Sequence, residues 1–332
     1  MPKTALIVGG AGQIGQAVSA SLLAEGWRVI AGRRHAEAVQ PVEGVETLVF
    51  DRNEPGALAK AVAGGVDALI DTVAYDETHA RQLLEIEADV GALVVVSSAS
   101  VYCDDKGRTL DEAGETGFPR FPEPIGEDQP TTPPGSATYS TRKVALEQAL
   151  LQGARRPAAI LRPCAIHGPG SRAPREWFFV KRILDGRRVV PLAFGAASCF
   201  HTTATVNIAE LVRVVLGRPA TQVLNIADPR APSVAEIAGA IAKVYDHDWR
   251  IVPLDGPPAG EVGAHPWCVP RPLVVDMARA AALGYRPVAT YEESVAAACR
   301  SAEAMAARGV PFAEYLTKMF DYAAEDAFLE TA

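Results

Sequence analysis

Cysteine is scarce in this sequence, and its five copies lie far apart, as Cys103, Cys164, Cys199, Cys268 and Cys299. No two of them have the C-x-x-C spacing, which argues against both a disulfide framework and a zinc site. We therefore expect reduced thiols, no bound metal and a cytoplasmic protein.

Long apolar runs and an excess of positive charge are also missing. No stretch is apolar for long enough to span a bilayer, and the N-terminus lacks the charged start and apolar segment of a signal peptide. The net charge of −8 argues against a general nucleic-acid binder. We expect neither a membrane nor a nucleic acid as a partner.

What is present is a composition typical of a globular protein, in which 48% of the 332 residues are hydrophobic. The chain starts with an apolar strand at residues 5–8, a glycine-rich turn, and helical spacing over residues 16–24. This order makes an anion site, because the free N–H groups and the positive dipole end of the helix point at a phosphate.

Glycines recur in that turn at the spacing of a dinucleotide site. Gly9 allows a tight turn, Gly12 allows close approach of a pyrophosphate, and Gly15 allows the helix to pack on the strand. A bare structural turn is the alternative, but the strand before it and the helix after it favour a dinucleotide. The expected contacts are Gly9, Gly12, Gln13, Ile14 and Gly15.

A second strand, residues 27–31, ends at Gly32-Arg33-Arg34. In a dinucleotide fold this end faces the adenosine ribose, where an acidic residue binds the 2′-hydroxyl of NAD. Arg33 and Arg34 stand there instead, and guanidinium groups suit a 2′-phosphate. The local chemistry therefore favours NADP(H) over NAD(H), with a solvated basic turn as the alternative.

Four further apolar stretches predict strands at residues 45–50, 68–74, 92–96 and 158–163, with helical spacing between them. Strands that alternate with helices predict a doubly wound parallel sheet. Ligands of such sheets bind at the carboxyl ends of the strands, where this sequence places Gly9, Arg33, Asp51, Thr72, Ser97 and Ser98. Later helices are predicted at residues 138–151, 177–184, 206–216, 233–244, 276–283 and 291–307, with strands at 222–226 and 250–252.

Residues 104–135 break every period and contain six prolines. A loop this long inside a compact domain is usually a lid, a binding loop or disorder. Its position between two candidate active-site elements favours a lid over the pocket.

Tyr139 and Lys143 lie four residues apart on the helix that follows, so both project from one face. A nearby ammonium lowers the pKa of a tyrosine hydroxyl, which can then exchange protons near neutral pH. Ser98, at the end of a predicted strand, is placed to hold a substrate oxygen against the tyrosine. A tyrosine followed four residues later by an exposed lysine is common by chance, but the glycine turn and the Ser-Ser strand end favour a catalytic set.

With these motifs the chain resembles the extended short-chain dehydrogenase/reductases, the NAD(P)-dependent epimerase/dehydratase family, over nearly its whole length. The resemblance is carried by Gly9-x-x-Gly12-x-x-Gly15, Asp51, residues 96–102, Tyr139-x-x-x-Lys143, Leu161-Arg162-Pro163 and His167-Gly168-Pro169-Gly170. It implies an α/β fold with a Rossmann-type doubly wound parallel sheet in residues 1–167, to which the strand at 222–226 returns. It also implies a smaller C-terminal α/β substrate domain in residues 168–200 and 228–332.

The resemblance implies roles for individual side chains. Ser98 is the implied catalytic hydroxyl, Tyr139 the acid/base, and Lys143 the group that binds the nicotinamide ribose and lowers the tyrosine pKa. Further implied cofactor contacts are Asp51, Arg52, Thr72, Val73, Ala74, Pro163 and Ile166. Candidate substrate contacts are Ser100, Tyr102, His167, Arg172, Trp177 and His201. The helices at 79–88 and 139–151 resemble those that pair in family dimers, so a homodimer is expected.

The stretch 199–207 departs from the family's usual R-D-F-x-x-V-x-D pattern, because Phe200 and His201 replace its Arg-Asp. In nucleotide-sugar enzymes of the family that arginine helps to hold the substrate nucleotide, so its absence argues against a nucleotide sugar. A satisfied structural histidine is the alternative for His201, and a solvated face is the alternative for the basic run over residues 172–188.

The sequence thus predicts an NADP(H)-dependent oxidoreductase that transfers hydride at a carbinol or carbonyl carbon of a small molecule, with Tyr139 as acid/base. Within the enzymes, the alternative is a redox-neutral epimerase or dehydratase of a nucleotide sugar. A non-enzymatic dinucleotide sensor or RNA-binding member is the alternative of another class, which the presence of all of Ser98, Tyr139 and Lys143 disfavours.

Overall fold

A computed structural model describes residues 2–35 and 42–331. The strands are β1 (Thr4–Val8), β2 (Arg28–Arg33), β3 (Glu46–Val49), β4 (Val66–Asp71), β5 (Val90–Val96), β6 (Ala158–Pro163), β7 (Ala165–His167), β8 (Val189–Leu192), β9 (Thr202–Ala204), β10 (Gln222–Ile226) and β11 (Arg250–Pro253). The helices are α1 (Gln13–Ala24), α2 (Ala57–Ala61), α3 (Glu77–Glu85), α4 (Ala113–Thr116), α5 (Tyr139–Gly153), α6 (Trp177–Leu184), α7 (Thr205–Gly217), α8 (Val234–Val244), α9 (Ala278–Ala282), α10 (Tyr291–Ala307), α11 (Glu314–Thr317) and α12 (Tyr322–Leu329). Within these described ranges, no helix is both long and apolar enough to cross a membrane.

Seven strands form one parallel sheet in the order β10-β6-β5-β4-β1-β2-β3. Strands such as β5 are buried along nearly their whole length, as a parallel sheet covered by helices on both faces requires. The sheet confirms the prediction of a doubly wound α/β fold. Its strand order reverses beside β1, which is where ligands bind in sheets of this type.

The chain divides into two compact units. The first contains Met1–Cys164, Thr205–Ile226 and Val275–Val288, and the second contains Ala165–Ala204, Ala227–Val274 and Ala289–Ala332. The structure places residues 275–288 in the first unit, whereas the sequence assigned them to the substrate domain. The reason is local: Asp276 donates its N–H to the Ile125 carbonyl at 2.8 Å, and Arg279 pairs with Asp128 at 2.5 Å.

The core of the first unit lies between the sheet and the helices of one face. Leu69 and Leu93 from neighbouring strands pack with Leu83 of α3 and with Leu146 and Leu150 of α5. All five side chains are fully buried, so α3 and α5 are fixed on the sheet by their apolar faces. This packing sets the position of α5, which carries Tyr139 and Lys143.

Residues 104–135 are ordered by hydrogen bonds within the segment and to neighbouring residues of the first unit, and their action as a lid stays a prediction. The buried Asp104 carboxylate accepts N–H groups of Lys106, Arg108 and Arg120, each at 2.9 Å, and pairs with the Arg108 guanidinium at 2.6 Å. The Cys103 N–H donates to the Pro130 carbonyl at 2.9 Å. These hydrogen bonds order a segment that has few of the backbone hydrogen bonds of helices and strands.

The second unit has its own core and two small parallel sheets, β7 with β9 and β8 with β11. Helices α6, α8 and α10 contribute buried side chains that pack with Trp267. Helix α8 begins with a capping box, in which the Ser233 N–H donates to Glu236 at 2.7 Å and the Glu236 N–H to the Ser233 hydroxyl at 3.3 Å.

Candidate active site

The glycine-rich turn between β1 and α1 has the shape of a phosphate cradle. Gly9 has φ +83°, and a Cβ there would meet the side chains of Thr72 and Val73. A Cβ on Gly15 would lie 2.6 Å from the Gly10 Cα, so α1 can pack this closely only with glycine. Gly12 is the N-cap and has no side-chain cap bond, so the first-turn N–H groups of α1 are directed to an anion.

One orphaned polar atom also fits a ligand at this turn. Gln13 is the first residue of α1, and its buried Oε1 has no hydrogen-bond partner among the described residues. The adjacent Ile14 is buried in the core. The Gln13 oxygen is an acceptor, so it can take a hydroxyl donor of a ligand but not a phosphate oxygen. A dinucleotide carries such hydroxyls on its riboses, and its binding at this turn stays a prediction.

The ends of β2 and β3 carry the residues expected near the adenosine. Arg33 is half-buried and donates to the Thr47 hydroxyl at 3.3 Å, while Arg34 is exposed. The Asp51 carboxylate accepts the Asn53 N–H at 2.9 Å. Two cationic groups and one carboxylate thus lie where the sheet topology places a ligand.

Arg52 follows Asp51 and contacts the last residue of β4. Its guanidinium is buried, pairs with the Asp71 carboxylate and lies 3.1 Å from the Gln82 side-chain oxygen. Its two terminal nitrogens are thus used inside the unit, while its buried Nε has no hydrogen-bond partner among the described residues, and a cofactor contact of Arg52 stays a prediction. Thr72, next to Asp71, donates its hydroxyl to the Val8 carbonyl at 3.0 Å, and Val73 is exposed.

A second capping box fixes the start of α5. The Thr141 N–H donates to the Thr138 hydroxyl at 3.2 Å, and the Thr138 N–H donates to the Thr141 hydroxyl at 2.9 Å. The Ser140 N–H donates to the Asp111 carboxylate at 2.7 Å, which suits an acid at a helix N-terminus. Tyr139 is thus held at the first helical position.

Lys143 is buried one turn further along α5. Its ammonium donates to the carbonyls of Ala74 at 2.6 Å and Val96 at 3.0 Å, and lies 5.7 Å from the centroid of the Tyr139 ring. Burial lowers the pKa of Lys143 to about 8, against the raising effect of the Asp71 and Glu147 carboxylates. The two nearby carboxylates therefore favour the protonated form of this buried lysine.

Tyr139 is 40% exposed, so its ring can be reached by a substrate. Desolvation raises the pKa of Tyr139, a hydrogen bond with Ser98 lowers it, and Tyr75 and Asp111 raise it further. The Ser98 Oγ also accepts the Ser100 N–H at 3.1 Å, at the start of a short 3₁₀ helix. The structure therefore brings Ser98, Tyr139 and Lys143 together around the end of β5.

The two substrate candidates after Ser98 differ in access. The Ser100 Oγ is buried and has no hydrogen-bond partner within residues 2–35 and 42–331. Tyr102 is fully buried, and its hydroxyl donates to Asn225 at 2.6 Å. That bond corrects the expectation for Tyr102, because its hydroxyl and ring are used in the interior of the first unit.

The other substrate candidates belong to the second unit. His167 and His201 are both buried and both contact Asp228. The Nε2 atom of His167 lies 2.8 Å from the Asp228 carboxylate, and that of His201 lies 2.9 Å from the Asp228 backbone carbonyl. These contacts agree with the structural alternative for His201. Arg172 is exposed ahead of α6, and the ring of Trp177 lies 5.4 Å from that of Phe312.

Pro163 and Ile166 fall on either side of the division of the chain. Pro163 is the buried last residue of β6 in the first unit. Ile166 is the half-buried middle residue of β7 in the second unit. The two residues therefore belong to different units.

Three residues near this site were missed by the sequence analysis. Asp71 interrupts the apolar end of a strand, and a carboxylate at such a position indicates a buried charge that has a specific partner. Tyr75 has its ring centroid 5.8 Å from that of Tyr139, and Asp111 lies in the segment that shows no periodicity. Neither of those two carries a local sequence signal.

A sequence model of the NAD dependent epimerase/dehydratase family matches residues 5–199 of the chain. A curated relative, the 2′-dehydrokanamycin reductase of Streptomyces kanamyceticus, is 37% identical over 97 residues, which are 29% of this chain and 27% of that protein. The chain thus matches about a quarter of the length of that relative.

Solved structures share the fold over most of their length. The enzyme WbmG of Bordetella bronchiseptica, in complex with NAD, has a TM-score of 0.69 and 19% identity, covering 94% of this chain and 96% of that one. The UDP-glucose 4-epimerase of Thermotoga maritima, with UDP-glucose, has a TM-score of 0.69 and 16% identity, covering 91% and 99%.

The family match includes the phosphate turn and the three residues gathered at the end of β5. It extends over more than half of the chain, and the sheet order is that of a dinucleotide-binding fold. The chain therefore belongs to the NAD dependent epimerase/dehydratase family, whose enzymes use a nicotinamide dinucleotide.

Proposed function

We propose that this protein is an NADP(H)-dependent oxidoreductase that acts at a carbinol or carbonyl carbon of a small molecule. The observation that carries the proposal is the arrangement of Lys143 beneath Tyr139. The lysine is anchored on two backbone carbonyls, 5.7 Å from the tyrosine ring, and Ser98 lowers the pKa of the tyrosine hydroxyl. A proton carrier, a charge and an orienting hydroxyl are thus fixed in one place.

In this proposal Tyr139 moves the proton. Its hydroxyl donates to a substrate carbonyl oxygen in the direction of reduction and accepts the proton of a carbinol in the direction of oxidation. Ser98 holds the same oxygen, and the Lys143 charge favours the phenolate. A bound nicotinamide supplies or accepts the hydride.

The cofactor would be held by the turn residues and by the end of β2. The N–H of Gly9 donates to the Gly32 carbonyl and that of Gly12 to the Gly9 carbonyl, so these glycines would supply space for the pyrophosphate. The first-turn N–H groups of α1, which begins at Gln13, would bind it. Arg33 and Arg34 support a 2′-phosphate, because a guanidinium binds a phosphate more strongly than it binds a hydroxyl.

A redox-neutral epimerase or dehydratase of a nucleotide sugar is the second candidate. It is favoured by Arg175, whose guanidinium lies 5.8 Å from the centroid of the Phe200 ring. A cation therefore stands beside the position where the family pattern has its arginine. Mass spectrometry of the purified protein separates the candidates, since a retained dinucleotide favours the epimerase and its loss favours the reductase.

Replacement of Tyr139 by Phe tests the proposed chemistry. The ring and its packing stay, the hydroxyl is lost, and turnover is expected to fall by about 10²- to 10⁴-fold with little change in cofactor affinity. Lys143→Met is expected to reduce both turnover and cofactor affinity, and Ser98→Ala to reduce turnover alone and by less. Turnover is measured with NADPH on a panel of aldehydes, ketones and nucleotide sugars.

The matched control is Tyr315→Phe, which removes a hydroxyl from an exposed tyrosine of the second unit. Turnover of this variant is expected to equal that of the wild type. Full activity of Tyr139→Phe on a confirmed substrate would mean that the proton carrier lies elsewhere.

We also propose that the protein works as a homodimer in the cytoplasm. Support for the dimer comes from α5, where Ala145 and Ala149 are small and only half-buried, and Leu151 is exposed. Val144, also expected at the interface, is buried inside the first unit and is not available for pairing. Support for the location comes from the wide spacing of the five cysteines in the sequence, which argues against a disulfide framework.

A further inference from the structure

Charged side chains are buried around Lys143 to an unusual degree. Asp71 is 0% exposed and Arg52 5%, and the two form an ion pair. Glu147, one turn after Lys143 on α5, forms a second buried ion pair with Arg162 at 2.5 Å. Because burying such pairs is costly, their presence beside a reactive site calls for a function.

Asp71 uses both of its carboxylate oxygens. The Oδ1 atom accepts the N–H of Val73 at 3.0 Å and that of Ala74 at 2.7 Å, and the Oδ2 atom pairs with Arg52. Arg52 is itself held by Gln82 of α3. The carboxylate therefore fixes the turn that follows β4.

That turn is what Lys143 binds. The Ala74 N–H is held by Asp71, and the carbonyl of the same residue accepts the Lys143 ammonium at 2.6 Å. The path from the carboxylate to the ammonium thus passes through the backbone of a single residue. A shift of the turn would move the lysine away from Tyr139.

We infer that Asp71, held by Arg52, is a positioning residue for Lys143: it fixes the carbonyl that Lys143 binds and supplies negative charge that keeps the lysine protonated. The inference rests on the proposed function, in which Lys143 also binds the cofactor. Asp71 acts through Lys143 and does not touch the substrate.

Protonation matters because of the number of donors. A protonated lysine has three N–H donors and a neutral one has two. Two are used by the carbonyls of Ala74 and Val96, so only the protonated form has a third donor for a cofactor hydroxyl. Cofactor affinity is therefore expected to fall as Lys143 loses its proton.

Several groups determine the pH at which Lys143 loses its proton. Burial lowers the pKa of Lys143 to about 8, Asp71 and Glu147 raise it, and Arg52 lowers it. The Tyr139 ring faces the ammonium from the same helix, and His79 of α3 is close enough for its own pKa to be lowered by Lys143. Of the groups that favour the proton, Asp71 has the largest effect.

The test is the dissociation constant of NADPH, measured by nicotinamide fluorescence between pH 6.5 and 9.5 in the absence of substrate. We expect wild-type affinity to fall above about pH 8. In Asp71→Asn the NADPH affinity is expected to fall at a pH about one unit lower than in the wild type, because the loss of the carboxylate charge lowers the pKa of Lys143. The matched control is Asp67→Asn, which removes an exposed carboxylate from the same strand and should leave the fall in place.

A second variant guards against misfolding caused by an unpaired Arg52. In Arg52→Gln/Asp71→Asn both charges are lost. The NADPH affinity is still expected to fall at a lower pH than in the wild type, but the shift is smaller than in Asp71→Asn, because Asp71 affects the pKa of Lys143 more than Arg52 does. A fall at the wild-type pH in either folded variant overturns the inference. Loss of folding in both variants also overturns it, because the pair would then be structural.

Failure of the proposed function is recognised separately. If Lys143→Met keeps the wild-type pH dependence of NADPH affinity, Lys143 does not bind the cofactor and the role proposed for it is wrong. If that dependence is lost in Lys143→Met but unchanged in Asp71→Asn, only the role of Asp71 is wrong.

Discussion

Arginines occupy two kinds of environment in the first unit: the interior, and the strand end where we propose that the cofactor binds. Arg52 and Arg162 are buried and each pairs with a buried carboxylate. Arg33 and Arg34 lie at the end of a strand, and Arg34 is exposed. Sequence alone does not separate these environments, because the partners Asp71 and Glu147 are brought to their arginines by the fold.

Cofactor choice is a prediction about Arg33 and Arg34. We expect NADP(H) to bind more tightly than NAD(H), because charge-assisted contacts with a 2′-phosphate contribute about 1.5–3 kcal/mol. Arg33→Ala/Arg34→Ala is then expected to weaken NADP(H) binding by about 10- to 100-fold without affecting NAD(H). Calorimetric titration of both cofactors measures the difference.

Arg28→Ala is the control, because Arg28 is on the same strand and pairs with Glu46 at 2.7 Å instead of reaching the strand end. Its NADP(H) affinity should match that of the wild type. Equal affinities of the wild type for the two cofactors would contradict the prediction.

Helix α12 is attached to α6 by a buried charge. Arg182 of α6 pairs with Glu325 of α12, donates to the Met319 carbonyl at 2.7 Å, and lies 3.8 Å from the centroid of the Phe178 ring. Both ends of the ion pair are buried. The Tyr322 hydroxyl also donates to Asp185 at 2.6 Å, and Arg187 pairs with Asp326 at 2.5 Å, so this eight-residue helix is held by contacts outside itself as well as by its own hydrogen bonds.

Removing one member of this pair is expected to cost more than removing both. Glu325→Leu leaves a buried guanidinium without its carboxylate and should lower the free energy of unfolding by about 3–5 kcal/mol. Arg182→Met/Glu325→Leu should recover most of that loss. Urea denaturation followed by tryptophan fluorescence measures both, because Trp177, Trp249 and Trp267 lie in the second unit.

Glu330→Leu serves as the comparison, since it removes an exposed carboxylate at the end of the same helix. Its free energy of unfolding should stay within about 0.5 kcal/mol of the wild-type value. A double variant as unstable as Glu325→Leu would show that packing, and not charge, holds α12.

Periodicity predicted the long elements well and the short ones poorly. Helix α10 and strand β6 lie where the sequence places them, because their burial follows from their own apolar pattern. Strands β7, β8 and β9 were missed, since each has only three or four residues and pairs with a strand that is distant in sequence. Strand β11, also of four residues, was nevertheless predicted, at residues 250–252, so strands of this length are detected in some cases and missed in others.

The candidate site divides in the same way. Tyr139 and Lys143 share a helix, so their spacing alone predicts that they face one side. The Ala74 carbonyl, bound by Lys143, is 69 positions away in the sequence. Contacts of that kind follow from the sheet order and the packing of α5, which a single sequence does not contain. For this reason Asp71 was missed while Tyr139 was found.

Assembly of the complete chain is predicted to be dimeric. Light scattering at micromolar concentration should give twice the mass of one chain, and Ala145→Glu should shift the protein to monomer, because a charge on a half-buried helix face opposes pairing. Ala297→Glu, at an exposed position of α10, is the control and should stay dimeric. A monomer mass for the wild type would overturn the prediction.

The discontinuity of the first unit has a consequence for biosynthesis. Strand β10 is the edge partner of β6, yet Ala165–Ala204 of the other unit are translated between them. At typical rates of translation, β6 therefore waits several seconds on the ribosome for the strand that covers its edge. An apolar strand with an unpaired edge is a template for aggregation. Until β10 has been made, the unpaired edge of β6 is open to pairing with other chains, and faster synthesis of the residues between the two strands shortens that exposure.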